Sequence, residues 1–342
     1  GKVDLLVGTH ALLTEDVSFT SLAVAIIDEQ HRFGVHQRAI LRRSSGEDLE
    51  VPHQMVMTAT PIPRSLALTL YGDLDVTVLD ELPPGRQPVK TGWRVAGDRN
   101  RAFSFLREEV AGGRQAFIVY PLIEESEEGD LQAAVRAFGE LQQGALQGLR
   151  LGLLHGRLPA DEKESVMSAF RAGEIDTLVS TTVVEVGVDV PNATVMLVEH
   201  AERFGLTQLH QLRGRVGRGA HVSYCILIAD PADNLTAEAR ARLDAMVQTT
   251  DGFKIAEMDL QIRGPGQIFG TRQAGFPEFR FADLGRDGDL VVLARRGARG
   301  LLDADPELAL PERHLGLVQA REHPALDAFL DDPESPEAKP WT

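Results

Sequence analysis

Leu22-Ala23-Val24-Ala25-Ile26-Ile27-Asp28-Glu29-Gln30-His31 is the stretch that decides the fold. Its apolar run ends abruptly in two carboxylates, an amide and an imidazole. A continuous apolar run of this length predicts a strand buried on both faces of a parallel sheet. The charged residues then emerge at the strand's carboxyl end, where open α/β sheets bind their ligands. Two adjacent carboxylates there suit magnesium, a hard cation that prefers oxygen and keeps some of its waters. One carboxylate, Asp28, can hold the metal while the other, Glu29, polarises an attacking water, as nucleotide hydrolysis needs. Taken alone, the string also fits an N-cap Asp and a surface Glu opening a helix.

Working outward, Val3-Asp4-Leu5-Leu6-Val7 and Gln54-Met55-Val56-Met57 predict neighbouring strands with helices between and after them. Residues 1–82 therefore form a first α/β unit. Pro83-Pro84-Gly85-Arg86-Gln87-Pro88 reads as a stiff linker, assigned to 83–94. A second α/β unit spans 95–232, with strands at 116–120, 151–154, 176–180, 193–198 and around Cys225. Pro159 to Phe170 predicts a helix, since Pro at its first turn and Asp161 and Glu162 suit a helix N-terminus. Two doubly wound halves place a ligand cleft between them. Residues 233–285 change character, with an amphipathic helix over 236–247 and then a Gly-rich, Arg-containing stretch. Residues 286–342 form a helical, acidic, Pro-rich tail.

The chain has 342 residues, 43% of them hydrophobic and 25% charged, an ordinary globular composition. No apolar run approaches the roughly 20 residues that span a bilayer, which predicts no membrane partner and a cytoplasmic location. Gly1 is no initiator Met and a strand is expected at once, so the chain reads as cut from something longer. The single cysteine, Cys225, lies in an apolar strand and reads as an inert buried thiol in a reducing compartment. A net charge of -16 argues against nucleic-acid binding. Residues 303–342, however, hold ten acidic against three basic side chains, and residues 124–130 add five more acids. Most of the excess sits in two segments, and local patches decide where a phosphate backbone can lie.

Three further strings carry chemistry. In Gln211-Leu212-Arg213-Gly214-Arg215-Val216-Gly217-Arg218-Gly219, guanidinium forks suited to phosphate alternate with glycines that allow close approach. Thr58-Ala59-Thr60-Pro61-Ile62-Pro63-Arg64 follows a core strand with hydroxyls and stops it with prolines. Thr181-Thr182-Val183-Val184-Glu185-Val186-Gly187-Val188-Asp189-Val190-Pro191 ends another strand with hydroxyls that can reach phosphate and a later Asp that can accept from a ribose.

Taken along the chain and across two α/β halves, the strings at 28–31, 58–64, 181–191 and 211–219 resemble motifs II, III, V and VI of superfamily 2 helicases. Gly8-Thr9-His10-Ala11-Leu12-Leu13 is similar to motif Ib, and Tyr120-Pro121-Leu122-Ile123-Glu124 sits where motif IV falls. Asp28-Glu29-Gln30-His31-Arg32-Phe33-Gly34-Val35 narrows the resemblance to the RecG family and the transcription-repair coupling factor. Asp259 to Gly275, with Arg263-Gly264-Pro265-Gly266 and Gly270-Thr271-Arg272-Gln273, resembles the translocation motif those two share. That text and His31 favour RecG.

The resemblance implies two RecA-like parallel-sheet helicase domains, the first truncated at its N-terminus, followed by a small helical hairpin and translocation motif region. It implies ATP and Mg²⁺ as cofactors. Asp28, Glu29, Gln211, Arg215 and Arg218 would be catalytic. Asp28, Glu29, His31, Gly187, Asp189, Arg215 and Arg218 would bind the nucleotide, with Asp28 and Glu29 at the metal. Thr9, His10, Thr58, Thr60, Thr181, Thr182, Arg263 and Gln273 would contact or couple to DNA. Double-stranded and branched DNA, forks and Holliday junctions, would be the substrates of a bacterial, nucleoid-associated monomer, with a single-stranded DNA-binding protein as a further partner.

One departure stands out. No G-x-x-x-x-G-K-[ST] string occurs, so the Lys and hydroxyl that cradle the β- and γ-phosphates are missing from the sequence. The family's branch-recognising wedge domain is missing too. The expectation is a motor fragment, inactive alone, of an ATP-dependent DNA helicase. The rival readings are a coupling-factor-like double-stranded DNA translocase and a non-catalytic DNA- or partner-binding module.

Overall fold

The computed structural model describes residues 3–9, 12, 17, 19, 22–29, 52–58, 75–79, 81, 86–121, 127–181, 190–263 and 288–306. The chain divides into two compact units, one of residues 1–61 and 88–230, the other of 62–87 and 231–342.

The first unit contains two sheets. In the smaller, β1 (Val24–Ile27) pairs in parallel with β2 (His53–Val56), Val24 opposite His53 and Ile27 opposite Val56. Ala25 and Ile27 turn inward on β1, while Val24 is 54% and Ile26 63% exposed. The run is thus buried on one face, not on both as its continuous apolarity predicts. Val3–Val7 differs more. It lies outside any strand, with Leu5 80% and Val7 84% exposed. A strand exists only with a neighbour to complete its ladder, and β1 and β2 are the only strands described in this region.

The larger sheet has six parallel strands in the order β3-β8-β7-β4-β6-β5. They are β3 (Lys90–Val95), β4 (Gln115–Val119), β5 (Leu151–Leu154), β6 (Thr177–Ser180), β7 (Ala193–Val198) and β8 (Tyr224–Ala229). Every residue of β4, β6 and β7 is buried, as expected for central strands covered on both faces. β3 corrects the sequence reading, which placed 83–94 in a linker. It is an edge strand, parallel to β8 alone, and its Lys90, Gly92 and Arg94 are tolerated because one side lacks a partner strand.

Helices α1 (Arg99–Ala111) and α2 (Glu127–Gln143) share one face of this sheet. Phe103, Leu106 and Val110 of α1 and Leu141 of α2 pack there on Ala116, Ile118, Val195 and Leu197. The opposite face receives α3 (Ala160–Arg171), whose Phe170 meets Phe117 edge to face at 5.0 Å between centroids. Asp161 and Glu162 do lie in the first turn of α3, after Pro159. Gln115, 4% exposed, donates to the carbonyls of Phe170 and Ile175 at 2.6 and 2.8 Å. A buried amide so satisfied ties α3's end to the sheet. The turn Ala201–Arg203 leads from β7 to α4 (Leu206–Arg213). Cys225 is fully buried, and burial pushes its thiol up to about 12, the inert state its sequence predicts.

In the second unit α5 (Ala237–Gln248) packs on α6 (Gly252–Arg263), and Leu243, Met246, Ile255 and Leu260 are buried. The Thr236 hydroxyl accepts from the Ala239 N–H at 3.1 Å, an N-cap that fixes where α5 starts. A further helix, α7 (Gly288–Ala304), carries Arg299, paired at 3.3 Å with Asp75. No helix among the described residues is long and apolar enough to cross a membrane.

Candidate functional site

Asp28 and Glu29 leave the carboxyl end of β1 side by side. Asp28 Oδ1 accepts from the Glu29 N–H at 2.8 Å, which closes a tight turn. Glu29 takes a left-handed backbone, φ 53°, costly for a residue with a Cβ and concentrated at functional positions. The Met57 N–H donates to the Ile27 carbonyl at 2.7 Å, so the chain leaving β2 runs beside the chain leaving β1. Exposed Thr58 thereby comes next to the carboxylate pair. Adjacent strand ends thus supply two carboxylates and a hydroxyl, all hard oxygen donors of the kind magnesium takes. They fit the metal. A phosphate-cradling loop has no counterpart in the 342 residues, so these residues account for one flank of a nucleotide site.

The arginine string sits at the end of α4. The helix opens with the Gly205 N–H on Gln208 Oε1 at 3.0 Å and closes through Gly214, whose N–H reaches the His210 carbonyl at 3.0 Å. Arg215 and Val216 then donate to Leu212 and Arg213 in a tighter turn. Arg213 points inward, 4% exposed, with its guanidinium 3.2 Å from His210 Nδ1, and burial lowers its pKa. Gln211 and Arg215 are half-buried, and Arg218 is exposed with Nε on the Gly214 carbonyl at 3.3 Å. Two glycines make this possible. Gly217 has φ +78°, and a Cβ on Gly219 would lie 2.4 Å from the Pro191 carbonyl oxygen.

The other sequence-selected residues are scattered. Thr9 is exposed. Thr181 follows β6 and is 2% exposed, and its hydroxyl has no hydrogen-bond partner among the described residues. It is covered, not presented at the surface as a backbone contact would require. Arg263 closes α6 in an ion pair with Asp259 at 2.9 Å, and Asp259 is 8% exposed. His10, His31, Thr60, Thr182, Gly187, Asp189 and Gln273 lie outside the described residues.

A second cluster went unread in the sequence. Glu199, 1% exposed at the end of β7, takes both a contact from Arg99 Nε at 3.1 Å to each oxygen and one from its NH2 at 2.9 Å. Burial pushes the Glu199 carboxyl up while Arg99 pulls it back, and the net shift is upward. Burial, with Glu199 next, also raises the Tyr120 phenol well above its ordinary value. Arg99, Phe103, Tyr120, Leu141, His200 and Arg203 help line a cavity of about 410 Å³ here. The signal was available, since Glu199 and His200 follow an apolar strand just as Asp28 and Glu29 do.

Residues 101–220 match the helicase conserved C-terminal domain family, and residues 249–323 match the C-terminal part of domain 3 of the ATP-dependent DNA helicase RecG. An ATP-dependent DNA helicase RecG of Synechocystis sp. is 53% identical over 323 residues, 94% of this chain and 38% of the relative. The chain belongs to the RecG family. A RecG of Bacillus subtilis is 49% identical over 312 residues, 91% of this chain and 45% of the relative. A solved structure of RecG bound to a three-way DNA junction matches with a TM-score of 0.63 at 49% identity, over 85% of this chain and 36% of that one. This RecG-family chain therefore spans well under half the length of these relatives. Its parallel sheets are those of RecA-like helicase domains. The match over 249–323 includes the Asp259 to Gly275 stretch and favours RecG over the coupling factor.

Proposed function

We propose that this chain is motor machinery of an ATP-dependent DNA helicase of the RecG type, acting on branched DNA in fork reversal and Holliday junction migration. The observation that carries the reading is the Asp28–Glu29 turn, strained at Glu29 and set beside Thr58 at a parallel-sheet edge. Identity of about half to RecG relatives over more than nine tenths of the chain supports it.

Asp28 would hold Mg²⁺, which when bound neutralises charge on the β- and γ-phosphates. Glu29 would take the proton of the attacking water, from a position where the backbone is left-handed. Arg215 and Arg218 bind the γ-phosphate, with Gln211 beside them, while Gly187 and Asp189 bind the nucleotide and His31 senses it. Thr58 and Thr60 couple the site to DNA, and Thr9, His10, Thr181 and Thr182 meet the DNA backbone. Arg263 and Gln273 pass the stroke to the duplex. Domain limits at 82, 232 and 285 complete this reading, with the 83–94 linker shortened to end before β3 and β3 placed in the second helicase domain.

DNA-stimulated ATP hydrolysis by this chain is compared with that of a longer chain including an upstream phosphate-binding loop. Turnover only in the longer protein, greatest on forks, is the expected result. Hydrolysis by the 342 residues alone, or by neither protein, overturns it. In the longer protein Glu29→Gln is expected to lower kcat at least a hundredfold while ATP binding persists, in line with the roughly 10²–10⁴-fold contribution of a general base.

A further inference from the structure

Side chains from two neighbouring strand ends converge outside the residues assigned above. β7 and β8 are hydrogen-bonded neighbours, with Val198 opposite Leu227. His200 and Glu202 follow β7 and Asp230 follows β8. His200 Nδ1 lies 3.4 Å from Asp230 Oδ1 and 3.7 Å from Glu202 Oε1. All three donor atoms fall within 4.8 Å of one another.

Those separations separate two explanations. A charge-assisted hydrogen bond between imidazolium and carboxylate closes to about 2.7–2.9 Å, and both pairs stand wider than that. Ligands on one tetrahedral ion with bonds of about 2.0–2.1 Å stand about 3.3–3.5 Å apart. The His200–Asp230 pair has that spacing, and the His200–Glu202 pair at 3.7 Å lies a few tenths of an ångström outside it, a gap that a small rotation of the Glu202 carboxylate closes.

Supporting contacts hold the ligands in place. The Asp230 N–H donates to Glu202 Oε2 at 3.2 Å, which leaves Oε1 toward the imidazole. Such outer bonds orient metal-binding carboxylates. Glu202 is 12% exposed, while His200 at 37% and Asp230 at 38% leave a route from solvent. Arg203 Nε lies 3.8 Å from the same Glu202 oxygen, and its 46% exposure gives the guanidinium room to turn outward.

We infer that His200, Glu202 and Asp230 form a binding site for a borderline transition-metal ion of the zinc class, one imidazole and two carboxylates with water completing the shell. An imidazole ligand disfavours Mg²⁺, which keeps to oxygen. The site lies at the opposite end of α4 from Arg215 and Arg218, so the ion would pin the turn Ala201–Arg203 to the end of β8 and fix where the arginine-bearing helix begins.

Co²⁺ titration of the whole 342-residue chain, followed by visible absorption and Zn²⁺ displacement, tests this. One equivalent bound in an intensely absorbing tetrahedral site, displaced by Zn²⁺ and indifferent to millimolar Mg²⁺, is expected. His200→Ala and Asp230→Asn are each expected to weaken Co²⁺ binding at least tenfold, as disturbing even an outer-shell partner does. Exposed His221→Ala leaves binding unchanged, and circular dichroism reports folding. Should His200→Ala misfold, Asp230→Asn and Glu202→Gln decide alone. No one-equivalent binding, or equal binding in the folded variants, overturns the site. Neither result depends on nucleotide hydrolysis, so this site and the motor reading fail separately.

Discussion

β1 and β7 are similar as text, a mostly apolar run followed by an acid and, within four residues, a histidine, yet the chain treats them differently. Every residue of β7 is buried between β4 and β8 under helices. β1 has β2 as its one described neighbour and exposes Val24 and Ile26. An apolar run therefore states a capacity for burial, and neighbouring strands and helices realise it. The chemistry at the run's end is less sensitive, because charged residues leave both strands at the carboxyl edge.

The comparison breaks most visibly in the larger sheet. Phe170→Ala removes a fully buried ring stacked edge-on to Phe117. A loss of about 3–5 kcal/mol is expected in denaturant unfolding, and a loss below about 1 kcal/mol would show the sheet's second face to be loosely covered. Next comes Arg99→Ala, which leaves the buried Glu199 carboxylate without its guanidinium. A cost of about 3 kcal/mol is expected, and most of it should return when Glu199→Gln is added, as a double-mutant cycle reads directly. Arg99 loss without rescue would mean that its packing in the cavity wall, not the charge, carried the effect.

Two smaller effects sharpen the contrast. Asp176 is held below the usual carboxylate range first by its side-chain hydrogen bond from Arg150, with burial opposing. Its folded pKa is depressed, so its contribution is present above the ordinary value and disappears as pH falls through the depressed one. Wild type and Asp176→Asn should differ in stability near neutrality, begin to converge as pH falls below about 4 and meet only below the depressed value. A gap that persists in acid sinks the ion-pair account. Ile26→Thr, on the exposed side of β1, is expected to change stability by no more than about 0.5 kcal/mol. A large loss would mean that this face is covered in the working protein.

Where the sequence predicted well, local pattern and tertiary setting agreed. β7 matches the apolar run at 193–198 because strands on both sides bury it, and β5, at the sheet's other edge, matches 151–154 because its residues are Leu and Gly with no charge among them. β3 was illegible because an edge strand tolerates Lys90, Gly92 and Arg94, which erase the apolar signature. Val3–Val7 carried that signature without a partner strand among the described residues. At the site, Asp28 and Glu29 were readable from their place after a strand, but the strain at Glu29 was not. His200, Glu202 and Asp230 were unreadable as a set because the order of strands, not spacing along the chain, unites them. Thr181 and Arg213 show the reverse limit, since polar residue type alone said nothing about their being buried.

Gly219 packs so closely on the Pro191 carbonyl that no side chain fits between them. Mechanically this is a rigid strut. The arginine turn approaches Pro191 as closely as backbone can, and in the sequence Pro191 ends the hydroxyl-bearing string that starts at Thr181. A shift of Pro191 toward the turn would press on Gly219, the residue after Arg218, whereas a pull in the other direction would not be carried by this contact. Gly219→Ala would lengthen that strut by one carbon and shift the timing between the two ends before it altered either one's chemistry.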